Sequence, residues 1–174
     1  MWLRAKTTNS TFCESSSLNN YVRFLMTGKI AASGSIMYLL KNDGDLDTIP
    51  SVQCFSRLFY LCTSLTKPPE LPATTLSDYC YFNMFNSCTS LEEAPMLPST
   101  TLAPSCYLYM FQSCTSLKSI KIAYFGNFSG TGVPSGAFNE WVNNVSSTGT
   151  FYYNGSSTSR GSSAIPSNWN VQTF

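Results

Sequence analysis

Leu58-Phe59-Tyr60-Leu61-Cys62-Thr63-Ser64-Leu65, Met84-Phe85-Asn86-Ser87-Cys88-Thr89-Ser90-Leu91 and Met110-Phe111-Gln112-Ser113-Cys114-Thr115-Ser116-Leu117 are one phrase written three times. Successive copies are 26 residues apart, from Cys62 to Cys88 to Cys114. Beyond the phrase, Cys54, Cys80 and Cys106 keep the same step, as do the pairs Pro69/Pro95, Leu71/Leu97, Pro72/Pro98 and Leu76/Leu102. A fixed period in the twenties with apolar residues at fixed offsets predicts a repeat solenoid. One such unit cannot bury its own apolar face, whereas stacked units supply each other's missing wall.

Within each unit, Met84–Cys88 and its equivalents read as a short helical or 3₁₀ turn with Phe and Cys inward, three residues apart. The Leu of Cys-Thr-Ser-Leu opens a short strand, clearest in the alternation of Lys118–Ile122. Pro68, Pro69 and Pro95 remove ladder donors in the earlier copies, so strand pairing there is predicted to be partial. Phe59, Phe85 and Phe111 are predicted to stack as a column. The six periodic cysteines then read as two reduced, buried ladders, because free cysteine behaves as a small hydrophobe and parallel Cβ vectors disfavour a disulfide.

The chain reads as one domain, an α/β repeat solenoid with irregular caps. Residues 1–27 form an N-terminal cap, with strands at Trp2–Thr7 and Tyr21–Met26 joined by the polar stretch Asn9–Asn20. Residues 28–53 carry a worn copy of the repeat, with Ile36 and Leu39 standing for Cys62 and Leu65, and Thr48 under Thr74. Residues 54–131 are the three full repeats. Residues 132–174 form a C-terminal cap. In it, Ala137-Phe138-Asn139-Glu140-Trp141 is a last copy at a step of 27, on a helix from Ser135 to about Asn144. A strand at Thr150–Tyr153, a turn at Asn154-Gly155 and a strand at Ile165–Val171 follow, with Trp169 packed on the cap.

Composition narrows the function. Hydrophobic residues are 43% of the 174, but charged ones only 11%, well under the usual quarter. Ser and Thr make up about a quarter of the chain. A net charge of +1 offers no basic stripe for nucleic acid. No apolar run is long enough for membrane insertion, and Met1–Ser10 lacks the apolar core of a signal peptide. There is no histidine, hence no partner to activate a cysteine nucleophile, and no Cys-x2-Cys pair for zinc. Asp43, Asp45 and Asp47 alternate as in a calcium loop, but Thr48 and Cys54 stand where Gly and a bidentate Glu belong; the stretch reads as a solvated turn. No catalytic residue, metal or cofactor is predicted.

Met-Phe-x-x-Cys-Thr-Ser-Leu-x-x-x-Pro-x-Leu-Pro-x-Thr-Thr-Leu resembles the BspA-like leucine-rich repeat of Bacteroides-type surface proteins and of phages that infect such bacteria. The family's Phe-x-x-Cys-x-x-Leu core stands here as Phe59/Cys62/Leu65, Phe85/Cys88/Leu91 and Phe111/Cys114/Leu117. The resemblance implies a leucine-rich-repeat-like right-handed coil, displayed on a cell or virion surface and binding a protein or carbohydrate. It also suits a structural spacer or decoration domain, and Trp2–Thr7 reads as the end of a preceding β region in a larger polypeptide or assembly. Outward strand positions are the predicted ligand face: Lys67 and Pro69, Glu93 and Pro95, Ser119 and Lys121. Tyr79, Tyr81, Tyr107 and Tyr109 are the nearby aromatics that a sugar or protein partner would use.

Overall fold

The computed structural model describes residues 21–40, 47–157 and 159–174. Trp2–Thr7, Asn9–Asn20, Cys13 and Asp43–Asp45 lie outside the described residues. Among the described residues the architecture is turns and short strands, with two small parallel sheets and no closed barrel. One sheet pairs β1 (Ile30–Ala31) with β2 (Leu65–Lys67); the other runs β3 (Ser119–Ile122), β4 (Thr150–Tyr153), β5 (Asn170–Gln172). The strands predicted at Lys118–Ile122 and Thr150–Tyr153 are present as β3 and β4, and they pair in register from Ser119↔Thr150 to Ile122↔Tyr153. The C-terminal strand is shorter than predicted and begins only at Asn170. Tyr21–Met26 is not a strand.

The repeated phrase is not helical. Its amide groups divide into two sets by parity. Ser56, Leu58, Tyr60 and Cys62 donate N–H to the carbonyl three residues back. Gln53, Phe55, Arg57, Phe59 and Leu61 instead donate to Asp78, Cys80, Phe82, Met84 and Asn86 of the next unit. The same division recurs from Tyr79 to Ser87, whose odd residues bond to Pro104 through Gln112. A helix would consume every amide within its own segment. Here half of them stitch one unit to the next, and the carbonyls divide likewise, so a buried segment satisfies its backbone without a helix. The geometry requires a left-handed residue every fourth position: Gln53, Arg57 and Leu61, then Tyr79, Asn83 and Ser87, then Ser105, Tyr109 and Ser113, with φ of 53° to 63°. The one helix among the described residues is 3₁₀, Ile36–Leu39, capped by the Ser35 hydroxyl on the Met37 amide.

Two aromatic columns run through the units. Phe59–Phe85 and Phe85–Phe111 stack with centroids 5.4 and 5.6 Å apart and near-parallel planes. Phe55, Tyr81 and Tyr107 make the second column at 6.1 Å spacings. All of these rings are buried, and each removes on the order of 150–250 Å² from water. The six periodic cysteines are free and buried.

Both ends depart from the predicted register. Leu65 pairs with Ile30, and Glu70 with Ser35. Phe24, not a residue of the Ile36 segment, lies tilted against Phe59 at 5.1 Å and sends its amide to the Leu58 carbonyl. The step is thus 35 residues at Ile30 and returns to 27 where Thr48 meets Thr75. Ile36 and Leu39 belong to the intervening excursion, and they resemble the repeat only because they are apolar and three apart. At the other end, Tyr107, Tyr109, Phe111 and Ser113 donate to Ala137, Asn139, Trp141 and Asn143. Left-handed Gly136, Glu140 and Asn144 follow Ser105, Tyr109 and Ser113 at a step of 31. Phe138 therefore continues the Tyr107 column, at 5.7 Å, and the Phe111 column ends against Trp141 at 6.1 Å. The predicted step of 27 is four residues short, and the predicted helix at 135–144 is another run of linked turns. Trp141 is fully buried with its indole N–H on the Ala164 carbonyl. Trp169 closes the cap as predicted, donating to the Ser146 carbonyl.

Candidate functional site

The strand side of the molecule is interrupted. Unit pairing is continuous from β1 to β2 and again from Glu93↔Ser119 and Leu97↔Ile122 onward. Among the described residues, no main-chain hydrogen bond joins residues 63–73 to residues 89–99. Pro68, Pro69 and Pro95 carry no amide donor in this stretch, so the ladder fails where it was predicted to weaken. The turn side stays laced, through Leu61 to Asn86 and through Tyr79 to Pro104.

Two hollows open at this break. The larger, about 600 Å³, is walled by Ala32–Gly34 of the first unit, Thr66–Pro68 and Glu70 of the second, and Glu92–Ala94 of the third. The smaller, about 380 Å³, lies further along the same chain direction between residues 68–72 and Pro95, Met96 and Pro98. They share Pro68 and Glu70.

Of the eight predicted site residues, Lys67 and Glu93 line the larger hollow. Ser119 continues their row, bridging Glu93 on one side and Thr150 on the other. Lys121 is exposed one pleat further, its Nζ 4.0 Å from the Phe174 ring centroid. Tyr79 and Tyr109 are partly exposed but on the turn side, flanking Phe82 at 6.0 and 6.1 Å. Arg57 lies over that same Phe82 ring and over Tyr21, at 4.9 and 4.8 Å. Tyr81 and Tyr107 are core, each only 1% exposed. They cannot meet a ligand, because the Phe55 column runs through the interior and they are its middle members.

Pro69 and Pro95, predicted to face outward, are also buried. Opposite the Ile30–Ala31 step the second strand advances by two residues, Leu65 to Lys67. This extra residue, Thr66, is a bulge held by its hydroxyl on the Ile30 carbonyl at 3.0 Å. Pro69, Leu71 and Ala73 are buried at even spacings from Leu65, as Pro95 and Leu97 are from Leu91. Leu97 bridges Ile122 at a step of 25 where Glu93 bridges Ser119 at 26, which puts Pro95 out of phase with the exposed Lys121. Glu70 and Met96, absent from the predicted face, are exposed between these buried positions. Apolar Leu71 and Leu97, one residue further on, were the sequence signal for them.

Electrostatically the hollow is acidic at its rim. Glu92 is held by Lys118 at 2.7 Å, and that hydrogen bond keeps its carboxyl below the usual range. Glu70 and Glu93 have no salt bridge among the described residues, and Lys67 stands beside them. No group of three or more Cys, Asp or Glu is placed to hold a metal among the described residues. No helix there is long and apolar enough to cross a membrane. Compared with known protein families, curated proteins and solved structures, the chain matches none.

Proposed function

We propose that the chain is a non-enzymatic recognition module: a BspA-like, leucine-rich-repeat-like right-handed solenoid, displayed on a cell or virion surface, that binds a protein or glycan on its strand side. The solenoid reading is supported by amides that bond unit to unit at steps of 25 and then 30 residues, and by the two ring columns. The observation that carries the function is the open hollow of about 600 Å³ walled by three successive units. It presents carboxylate, ammonium and hydroxyl groups in one concave surface, the arrangement a specific contact requires.

Labelled chain screened on a glycan array and on an array of bacterial surface proteins tests this. The expected result is one ligand class whose binding falls about tenfold in Lys67→Glu and in Glu93→Lys. Absence of any ligand on both arrays, with the hollow covered by a neighbouring chain in the native assembly, gives the structural spacer instead.

A further inference from the structure

We propose that the two hollows form one bipartite site for an extended peptide segment of a partner protein, carrying a cationic side chain next to an apolar one. This rests on the recognition reading above and names the ligand class within it.

The shape comes first. From Thr66 to Pro72 the depression follows seven residues of chain, about 20 Å of extended backbone. A segment of similar length lies along it without folding back. The main chain comes next. Both banks of the break lack the hydrogen bonds that the opposite unit supplies elsewhere, and an extended peptide brings matching N–H and C=O groups.

Chemistry divides the site in two. The smaller hollow is walled by Pro68, Pro72, Pro98, Leu71 and the 38% exposed Met96. Proline rings are rigid and Met is adaptable, so this end takes an aromatic or large aliphatic side chain. The larger hollow holds Glu70, Glu92 and Glu93 against Lys67. Lys118 binds Glu92 and also feels the charge of Glu93, and Lys29 acts on Glu92, so Glu70, beside Lys67, is the carboxylate of this wall left most open to a further cation. An Arg or Lys entering there meets Glu70 first and can share Glu93 with Lys118. Glu70 belongs to both walls and fixes the spacing of the two side chains. A glycan fits less well, because no aromatic platform lines either hollow among the described residues.

Panning a phage-displayed random dodecapeptide library on the full chain, followed by fluorescence anisotropy with the synthesised winners, tests the assignment. Enriched peptides should pair Arg or Lys with a large apolar residue a few positions away. Their Kd should rise about tenfold in the Glu70→Gln/Glu93→Gln double variant and again in Met96→Glu, and binding should weaken with added salt. All three side chains are exposed, so circular dichroism of the variants should be unchanged. Winners without a cation, or winners indifferent to these variants, overturn the assignment. A glycan that binds in a Lys67→Glu-sensitive way while no peptide does overturns it and leaves the recognition reading standing. Binding of no peptide, no glycan and no protein on the array overturns both.

Discussion

The Cys114 thiol donates to the Phe85 carbonyl of the preceding unit at 2.9 Å. The same carbonyl accepts the Cys88 amide at 3.0 Å. Cys88 repeats the contact on Phe59, and Cys62 on Phe24. These cysteines are therefore donors that link units, as well as small side chains that fill a column. Cys114→Ala should lose about 1–3 kcal/mol in urea denaturation. Cys114→Val restores volume without the donor, and Cys114→Ser restores a donor of shorter reach; neither should recover the full loss. A valine variant as stable as the parent would reduce the thiol to packing alone.

The middle of the second column carries a cost that substitution can relieve. The Tyr81 hydroxyl is buried with no hydrogen-bond partner among the described residues, while the ends of the same column are phenylalanines, Phe55 and Phe138, with no hydroxyl to satisfy. Tyr81→Phe should raise stability by about 1 kcal/mol, the lower end of an unsatisfied buried group. Phe85→Ala, in the neighbouring column, should cost about 3–5 kcal/mol. Chemical denaturation of both variants checks the pair, and a Tyr81→Phe loss would place a partner on that hydroxyl.

Left-handed positions give a third expectation. Leu61 holds φ of 61° and is 47% exposed. A non-glycine residue there costs about 1–2 kcal/mol, and glycine removes that strain at a smaller entropic loss of about 0.5–1 kcal/mol. Leu61→Gly should therefore raise the melting temperature slightly. Leu61→Val, β-branched at the same φ, should lower it. The opposite order would mean that the Leu61 side chain contributes more than its exposure suggests.

These residues also explain what the sequence could and could not reveal. The 26-residue step, the Phe59–Phe85–Phe111 column and the proline break were legible, because each depends on residue type repeated at a fixed offset. The turn conformation was not. A pattern of inward residues three or four apart suits a helix and a run of linked turns alike, and only the choice of amide partner separates them. The last unit was misplaced by four residues for a related reason. Phe55 and Phe59 head columns four positions apart, so Phe138 fits either one, and the decision falls to the backbone. Tyr81 and Tyr107 reached the predicted face because tyrosine is commonly half wet; nothing local marks these two as core. The one-residue change of step between Glu93↔Ser119 and Leu97↔Ile122, which puts Pro95 out of phase with Lys121, depends on the partner strand and is invisible in a single segment.

The buried thiols should also make stability fall at high pH. Burial raises the Cys62 thiol to about 11, and Cys106 and Cys114 to about 12, from an ordinary 9.0. It pushes Cys80 and Cys88 up as well. Above about pH 9 the unfolded chain releases these protons while the folded one keeps them, so stability falls as pH rises. Below that pH the contribution is fully present. Each thiol supplies a slope of about 1.4 kcal/mol per pH unit within its window. Tyr81 and Tyr107, raised by the same burial, join at higher pH. Urea midpoints should be level through neutral pH and drop steeply from about pH 9. The Cys88→Ala/Cys114→Ala double variant starts less stable but should fall less steeply, since two of the titrating groups are gone. Parallel curves for parent and variant would show that these thiols ionise alike in both states, which contradicts their placement in the core.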